Sequence, residues 1–508
     1  MATLDAALRA TAGRVPERKA LLFEDQEYSY RQLDEEVSKV AGALAQSGVG
    51  KGDRVALMAH NSDRFVVVVF AVFRLGAIFV PVNPGAAAPE LDYLLRDCGA
   101  KVLVFDPELV STVHAAGKHG LPEGVQLFAS GDCAGFPDLF ALATGFDGEL
   151  SEAGAQESDD ALILYTSGTT GSPKGALFDH HRTLWAAFSF VGTCGMMDGD
   201  RFLHVAPLYH AAQTCIMVIP GVLIGATNIV HRGFQPAKVL NALEEHRITM
   251  FFGVPTMFQF LLREPDFASR DLSELRTAMF GAAPMPASAV EQLIETLPAV
   301  NLLQLCGQTE AGPGGIFSSR EQVSARPDAS GRQPTMMAQC RVVDADGKDV
   351  APGEVGEMLI RSEMVMKGYW NKPEQTAAAI RDGWLHTGDL LRLDPDGYMT
   401  LVDRLKDMII TGGRNVYSVE VENAVAAHPS VLDCAVIAQP HPEYGESIVA
   451  IVVLKPDTEL SLEELREFCS ERIARYKLPH RLVVKGQLPR NPPGKLLKRA
   501  IRDELAPA

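Results

Sequence analysis

Tyr165-Thr166-Ser167-Gly168-Thr169-Thr170-Gly171-Ser172-Pro173-Lys174-Gly175 continues directly from the apolar run Ala161-Leu162-Ile163-Leu164. An apolar run that breaks into glycine, serine and threonine predicts a strand ending in a phosphate-binding loop. The glycines let backbone N–H groups approach phosphate oxygens, the hydroxyls add donors, and Lys174 brings a positive charge. That chemistry suits the triphosphate of a nucleotide. The spacing is not that of Gly-x-x-x-x-Gly-Lys-Ser/Thr, because Lys174 lies beyond Pro173 and is followed by Gly175.

Around this loop the chain alternates helical and strand patterns. Between about residues 28 and 160, the amphipathic Tyr30–Ala41 stretch is followed by short apolar strands at Arg54–Met58 and Lys101–Phe105, and the rhythm returns from 200 to 330 at Arg201–Val205 and Thr249–Phe252. Such alternation predicts layered α/β sheets with largely parallel strands. From about 335 to 402 the texture changes to short strands and turns, which predicts a small distorted β-barrel. The charged Asp403-Arg404-Leu405-Lys406-Asp407 follows, and residues 407–508 read as a further, smaller α/β domain.

The chain has 508 residues, more than one core accommodates, so two or three domains are expected. Its 47 basic and 64 acidic residues give a net charge of −17, which argues against a general nucleic-acid or anionic-membrane surface. Any anion must be bound locally. The longest apolar run, Phe65–Phe73, stops at Arg74, well short of the roughly 20 residues that span a bilayer, and reads as a buried helix followed by a strand. No basic n-region precedes an apolar h-region, so a cytoplasmic location is expected. The eight cysteines lack paired CxxC spacing, which indicates neither a disulfide framework nor a zinc site.

With its surroundings the loop resembles that of the adenylate-forming superfamily: acyl- and aryl-CoA ligases, luciferases and peptide-synthetase adenylation domains. The resemblance runs along essentially the whole chain. It implies a large domain over 1–403 that includes the barrel at about 335–402, a hinge at 404–406 marked by Lys406, and a mobile lid domain over 407–508. It also implies ATP, Mg2+ and coenzyme A. Gathering a carboxylate and an α-phosphate, and stabilising pyrophosphate as it leaves, demands cations and a metal. Thr166, Ser167, Gly168, Thr169, Thr170, Gly171 and Lys174 would cradle the triphosphate. Gln304-Leu305-Cys306-Gly307-Gln308-Thr309-Glu310 resembles the aromatic-Gly-x-Thr-Glu motif: Thr309 would contact the α-phosphate and Glu310 would hold Mg2+, a hard cation suited to oxygen ligands. Cys306 departs from the motif, standing where most members carry the tyrosine that packs on adenine. Gly281-Ala282-Ala283-Pro284 would line adenine, though by itself it reads as an ordinary turn. Asp389, in Trp384-Leu385-His386-Thr387-Gly388-Asp389, would accept the ribose hydroxyls, as an ionised carboxylate can. Arg404 would reach ribose or phosphate.

Lys495, in the basic C-terminal loop, would carry adenylation from the lid, and Gly412 and Gly413 would form the coenzyme A tunnel after the lid rotates. Lys498, Arg499 and Arg502 read as a solvated basic helix face or as partners for coenzyme A phosphates. His210, in Pro207-Leu208-Tyr209-His210-Ala211-Ala212, resembles the segment bearing the gate to the acyl pocket, and a packed structural histidine is the competing reading. The acyl pocket would be lined by Gln213, Thr214, Met217, Phe252, Gly253, Val254, Cys306, Gly312, Gly314 and Gly315. It has no carboxylate for an amino group and no cation for a second carboxylate. A neutral hydrophobic acid follows, and the glycines suggest width. The expected partners are therefore a small-molecule carboxylic acid, ATP and coenzyme A, with no nucleic acid and no transmembrane segment; a homodimer is left open. The leading reading is an acid–CoA ligase, with an acyl-AMP ligase loading a carrier protein, or a non-catalytic binding protein, as alternatives.

Overall fold

A computed structural model describes residues 3–118, 120–148, 150, 154–166, 173–283, 285–490 and 496–505. The chain divides into two compact units, residues 1–340 with 360–385, and residues 341–359 with 386–508.

The first unit is built on two large sheets. In one of seven strands, Asp160–Thr166 lies beside Ile78–Val82, which is followed by Arg54–Met58, Val102–Phe105 and Gln126–Ala129. These five run parallel, and Ile78–Val82 and Val102–Phe105 are buried along their whole length, as parallel strands covered by helices on both faces must be. The run Phe65–Phe73 lies within the helix Asp63–Arg74, which starts where the Ser62 side chain accepts from the Phe65 N–H. The strand Ile78–Val82 follows, as its sequence predicts.

The second sheet has nine strands. Lys19–Phe23, Thr227–Val230, Arg201–His204, Met250–Gly253, Thr277–Gly281 and Asn301–Gly307 run parallel, and the edges are closed by antiparallel neighbours. The amphipathic stretch at Tyr30 is the helix Tyr30–Gln46, begun by a capping box between Ser29 and Gln32.

A buried polar chain pins this sheet. The Asn228 amide N–H groups donate to the carbonyls of Ala20 (2.9 Å) and Ala226 (3.2 Å), so its oxygen must accept, from His204 Nε2 at 3.0 Å. That leaves the lone pair on His204 Nδ1, which accepts from Gln213 Nε2 at 2.6 Å. Gln213, expected at the acyl pocket, thus commits its amide N–H to a strand of the core. Burial pushes His204 down to about 4.

Short strands make up a further five-stranded sheet. Ala338–Val343, Val355–Ser362, Trp384–Leu393 and Ile380–Arg381 follow one another in it, and Met399–Arg404 pairs antiparallel with Trp384–Leu393.

In the second unit, Val431–His441 and Gly445–Leu454 form a long antiparallel pair, and the other edge of Gly445–Leu454 takes Ile409–Thr411 at Gly445 and Arg481–Val484 from Val449 to Val452. Both faces are apolar. Val436, Ile448, Ala450 and Val452 pack with the helices Ser418–Ala426 and Leu462–Ser470, while Ala435, Ile437, Val449 and Ile451 pack with Ile501 of the final helix, Lys498–Glu504. The basic face expected on this last helix is tied to carboxylates at two of its three positions. Lys498 is 12% exposed, pairs with Glu422 at 2.8 Å and donates to Ser418 Oγ at 2.6 Å, and Arg502 pairs with Asp407 at 2.7 Å. The packing of Ile501 brings these cations onto buried carboxylates, whereas Arg499 stays exposed. Among the described residues, no helix is long and apolar enough to cross a membrane.

His204 sets an expectation for pH. Its ordinary value is 6.5 and its folded value about 4, so its contribution to stability is complete above pH 6.5 and is lost as pH falls through that window. Each proton taken up only on unfolding steepens the decline by about 1.4 kcal/mol per pH unit. Thermal unfolding followed across this window should show a shallower acid decline for His204→Gln than for the native chain. Equal slopes would show that the histidine does not resist protonation.

Candidate active site

The strand Asp160–Thr166 leads into Ser167, Gly168, Thr169, Thr170 and Gly171, which lie outside the described residues. The chain returns as the strand Lys174–Asp179, antiparallel to the first, with Lys174 opposite Thr166. The predicted phosphate loop is therefore the loop of a β-hairpin, with Thr166 and Lys174 as its closing pair. No helix follows it directly, in agreement with the departure from the Gly-x-x-x-x-Gly-Lys spacing.

Two hydroxyls meet at one carboxylate, and a lysine lies over the ring of one of them. Glu310 Oε1 accepts from Thr166 Oγ1 at 3.2 Å and from the Tyr369 hydroxyl at 3.0 Å, and Lys174 Nζ sits 4.8 Å from the centroid of the Tyr369 ring. Tyr369 belongs to the short strand Gly368–Tyr369, which pairs antiparallel with Lys174–Asp179. Glu310 lies in the single turn Thr309–Ala311 that links Asn301–Gly307 to Gly315–Ser318 in the nine-stranded sheet. The Met366 N–H donates to the Glu310 carbonyl at 2.9 Å, which ties the Tyr369 segment to the same turn. Burial, aided by the Glu310 charge, raises the Tyr369 phenol, which therefore stays protonated as a donor. Both hydrogen bonds that Glu310 accepts among the described residues fall on Oε1, which leaves Oε2 for a cation: an oxygen donor beside hydroxyls suits a hard ion such as Mg2+. Tyr369 is missing from the sequence-derived set. Its signal was Lys367-Gly368-Tyr369-Trp370, a glycine followed by two aromatics.

Around the Thr309 turn the chain is packed closely. A Cβ on Gly312 would lie 2.2 Å from the Met364 carbonyl oxygen, one on Gly314 would lie 2.4 Å from the Met364 methyl, and one on Gly315 would lie 2.1 Å from the Cys306 carbonyl oxygen. Gly307 meets the Gly314 oxygen at 2.3 Å in the same sense, and Gly281 the Leu305 oxygen at 2.2 Å. These glycines permit close backbone approach, so the width inferred from Gly312, Gly314 and Gly315 does not follow from their lack of side chains. At the end of Thr277–Gly281, Ala282 holds φ 67, an uncommon conformation for a residue with a side chain, and both Ala282 and Ala283 are exposed. Pro284 lies outside the described residues. Cys306 and Gln308 are half-buried, and Gln308 Nε2 makes no hydrogen bond among the described residues.

His210 precedes a π-helical segment, Ala212–Val218. Its Nδ1 accepts weakly from the Ala212 N–H at 3.4 Å, and its carbonyl accepts from the Gln213 and Thr214 N–H groups. Stretches of π-helix are rare and concentrate at functional sites. Thr214 donates its hydroxyl to the Leu208 carbonyl. Met217 and Phe252 sit in one apolar cluster with Phe202, Met250, Met279 and Leu305. Gly253 ends the strand Met250–Gly253, and Val254 begins the helix Pro255–Leu261.

In the second unit, Asp389 and Arg404 face each other across paired strands, with Arg404 Nε 3.1 Å from Asp389 Oδ1. Lys406 lies exposed in the turn that follows. Gly412 (φ 56) and Gly413 (φ 73) form the two-residue loop between Ile409–Thr411 and Arg414–Val416, where positive φ at both positions favours glycine. Lys495 lies outside the described residues.

Known proteins place the chain in a family. Residues 8–370 match the family model "AMP-binding enzyme", and residues 420–495 match "AMP-binding enzyme C-terminal domain". The chain is 39% identical to a feruloyl-CoA synthase of Amycolatopsis sp over 477 residues, 93% of each protein. It is 36% identical to the long-chain-fatty-acid–CoA ligase FadD13 of Mycobacterium tuberculosis over 482 residues, 94% of this chain and 93% of that protein. The o-succinylbenzoate CoA synthetase of Bacillus subtilis, solved with its acyl-adenylate intermediate, superposes with a TM-score of 0.88 at 31% identity, covering 99% of this chain and 98% of that one. The chain belongs to the adenylate-forming family of AMP-binding enzymes. Within that family it is an AMP-forming acyl-CoA synthetase, which uses ATP and coenzyme A.

Two glycines separate packing from turn geometry. Gly312 (φ 78) and Gly413 (φ 73) both sit where a side chain costs about 1–2 kcal/mol, but only Gly312 also faces a backbone oxygen, whereas nothing lies within 4 Å of a Cβ on Gly413. Gly312→Ala should therefore lose a further 1–3 kcal/mol, roughly, from overpacking, measured by denaturant unfolding. Equal losses for Gly312→Ala and Gly413→Ala would show that the Met364 backbone yields.

Proposed function

We propose that this synthetase activates a neutral, hydrophobic carboxylic acid, one bearing a ring or a medium-to-long chain, and passes it to coenzyme A. The observation that carries the assignment of the reacting end is that Thr166 and Tyr369 both donate to Glu310 while Lys174 lies over the Tyr369 ring. Thr166 and Lys174 close the loop that receives the triphosphate, Thr309 donates toward the α-phosphate, and Glu310, its carboxylate oriented by Thr166 and Tyr369, would hold Mg2+. When bound, the ion neutralises charge on the phosphate oxygens and the departing pyrophosphate. Gly281, Ala282, Ala283, Pro284, Gly307 and Gln308 line the adenine, and Asp389 and Arg404 take the ribose. Lys495 supplies the point charge that stabilises the adenylation transition state.

The acid follows from chemistry and kinship. None of the residues named for the acyl pocket is charged, and Met217 and Phe252 belong to an apolar cluster. The relatives are named for an aryl acid and for long-chain fatty acids. His210 lies at the pocket's entrance, beside the π-helical Ala212–Val218. After adenylation the lid, residues 407–508, turns about a hinge at 404–406, and Gly412 and Gly413 form the coenzyme A tunnel. Coenzyme A-dependent AMP release, measured across hydroxycinnamic, indolic, medium- and long-chain acids with acetate, dicarboxylates and amino acids as controls, tests this reading. A best substrate among the controls would overturn it.

The two half-reactions should separate in mutants. Lys495→Ala should lower pyrophosphate exchange by about 10²–10³ and spare thioester formation from a supplied acyl-adenylate. Gly413→Trp should do the reverse, since a large side chain blocks a narrow channel. Parallel loss of both half-reactions in either variant would refute that residue's role.

A further inference from the structure

We infer that Asp97 is a positioning residue for adenylation: it fixes both stems of the phosphate loop and the segment that carries Tyr369, without touching the nucleotide. Asp97 is the penultimate residue of the helix Ala88–Cys98, where the negative end of the helix dipole disfavours a carboxylate. The helix gains nothing from the charge, so its partners must account for it.

Those partners flank the loop. Asp97 Oδ2 accepts from the Tyr165 hydroxyl at 2.7 Å, and Tyr165 immediately precedes Thr166. Oδ1 accepts from Lys372 Nζ at 2.7 Å. The Tyr93 hydroxyl lies 3.2 Å from Oδ1 and 2.8 Å from the carbonyl of Pro173, and Pro173 immediately precedes Lys174. The Asp97 backbone carbonyl accepts from Trp370 Nε1 at 3.1 Å, and the Trp370 N–H donates to the Gly175 carbonyl at 2.7 Å. The single Tyr93 proton serves one of these two acceptors at a time, so Asp97 reaches the outgoing stem through Tyr165, the returning stem at Gly175 through Trp370, and the segment carrying Tyr369 through Trp370 and Lys372. The Asp97 side chain is 12% exposed, so these bonds are shielded from competing water.

The consequence concerns alignment. Thr166 and Lys174 present a hydroxyl and an ammonium across a hairpin whose register the Asp97 partners set, and a misplacement of about 1 Å at such groups costs on the order of 10² in rate. Asp97→Asn keeps the shape and removes the charge shared by Tyr165 and Lys372.

The inference rests on the triphosphate reading of the loop, and the test separates the two. In Asp97→Asn, the KM for ATP in pyrophosphate exchange should rise about tenfold with a fall in kcat, while transfer of a supplied acyl-adenylate to coenzyme A stays within about twofold of native. Tyr165→Phe should reproduce part of the effect, and adding it to Asp97→Asn should cost little more, because both remove one bond. Equal losses in both half-reactions, or an unchanged KM for ATP, would overturn the positioning role. If Asp97→Asn does not fold, Tyr165→Phe decides by the same two measurements. If the native enzyme binds ATP without exchanging pyrophosphate, the adenylation reading fails and the inference is judged by ATP affinity: an unchanged Kd in Asp97→Asn overturns it, and a weakened one supports it. A native chain that binds no ATP overturns both.

Discussion

One carboxylate oxygen joins the two large sheets where their edges meet. Glu310 Oε1 accepts one hydrogen bond from Thr166, at the end of a strand in the seven-stranded sheet, and another from Tyr369, on that sheet's short edge strand. Glu310 itself lies in the turn between two strands of the nine-stranded sheet. An ionised carboxylate between two neutral donors is a strong acceptor, and charge-assisted bonds of this kind are about twice as strong as neutral ones. Lys174 lies over the ring of the same Tyr369 whose hydroxyl donates to the carboxylate. This arrangement leaves positive charge and one carboxylate oxygen at the mouth of a loop rich in hydroxyls, in a protein that is otherwise acidic.

The glycines near this carboxylate allow the turn that carries it to fold tightly. Gly307, Gly312 and Gly315 each face a backbone oxygen at a distance no Cβ tolerates. Absence of a side chain is therefore a condition for forming the Thr309–Ala311 turn and its antiparallel neighbour, and carries no information about the breadth of a cavity. The chemical character of the acyl pocket rests instead on the uncharged residues named for it and on the apolar cluster around Met217 and Phe252.

In the second unit, charge is used for anchoring. Asp403 is 2% exposed and accepts from Ser418 Oγ at 2.9 Å, while Lys498 donates to that same hydroxyl and pairs with Glu422. Burying these groups is tolerable only because each is paired. The final helix is held through them and through Ile501, which is why two of its basic residues are unavailable as a solvated surface.

By itself the sequence determined the α/β alternation, the buried helix across Phe65–Phe73 with its following strand, and the hydroxyl- and glycine-rich loop leaving an apolar strand, because each depends on local periodicity and on residue types confined to a few contiguous positions. It marked Thr166, Lys174 and Glu310 separately. Only the tertiary structure decided that Thr166 and Lys174 close one hairpin, that Tyr369 completes the group on Glu310, that the Gln213 amide donates to His204 in the core, and that Asp97 holds one stem of the loop through Tyr165 and the other through Trp370. Those outcomes join residues up to 203 positions apart, as Thr166 and Tyr369 are, through which strand lies beside which. Strand order is set by burying apolar faces across the whole domain, and no local pattern carries it.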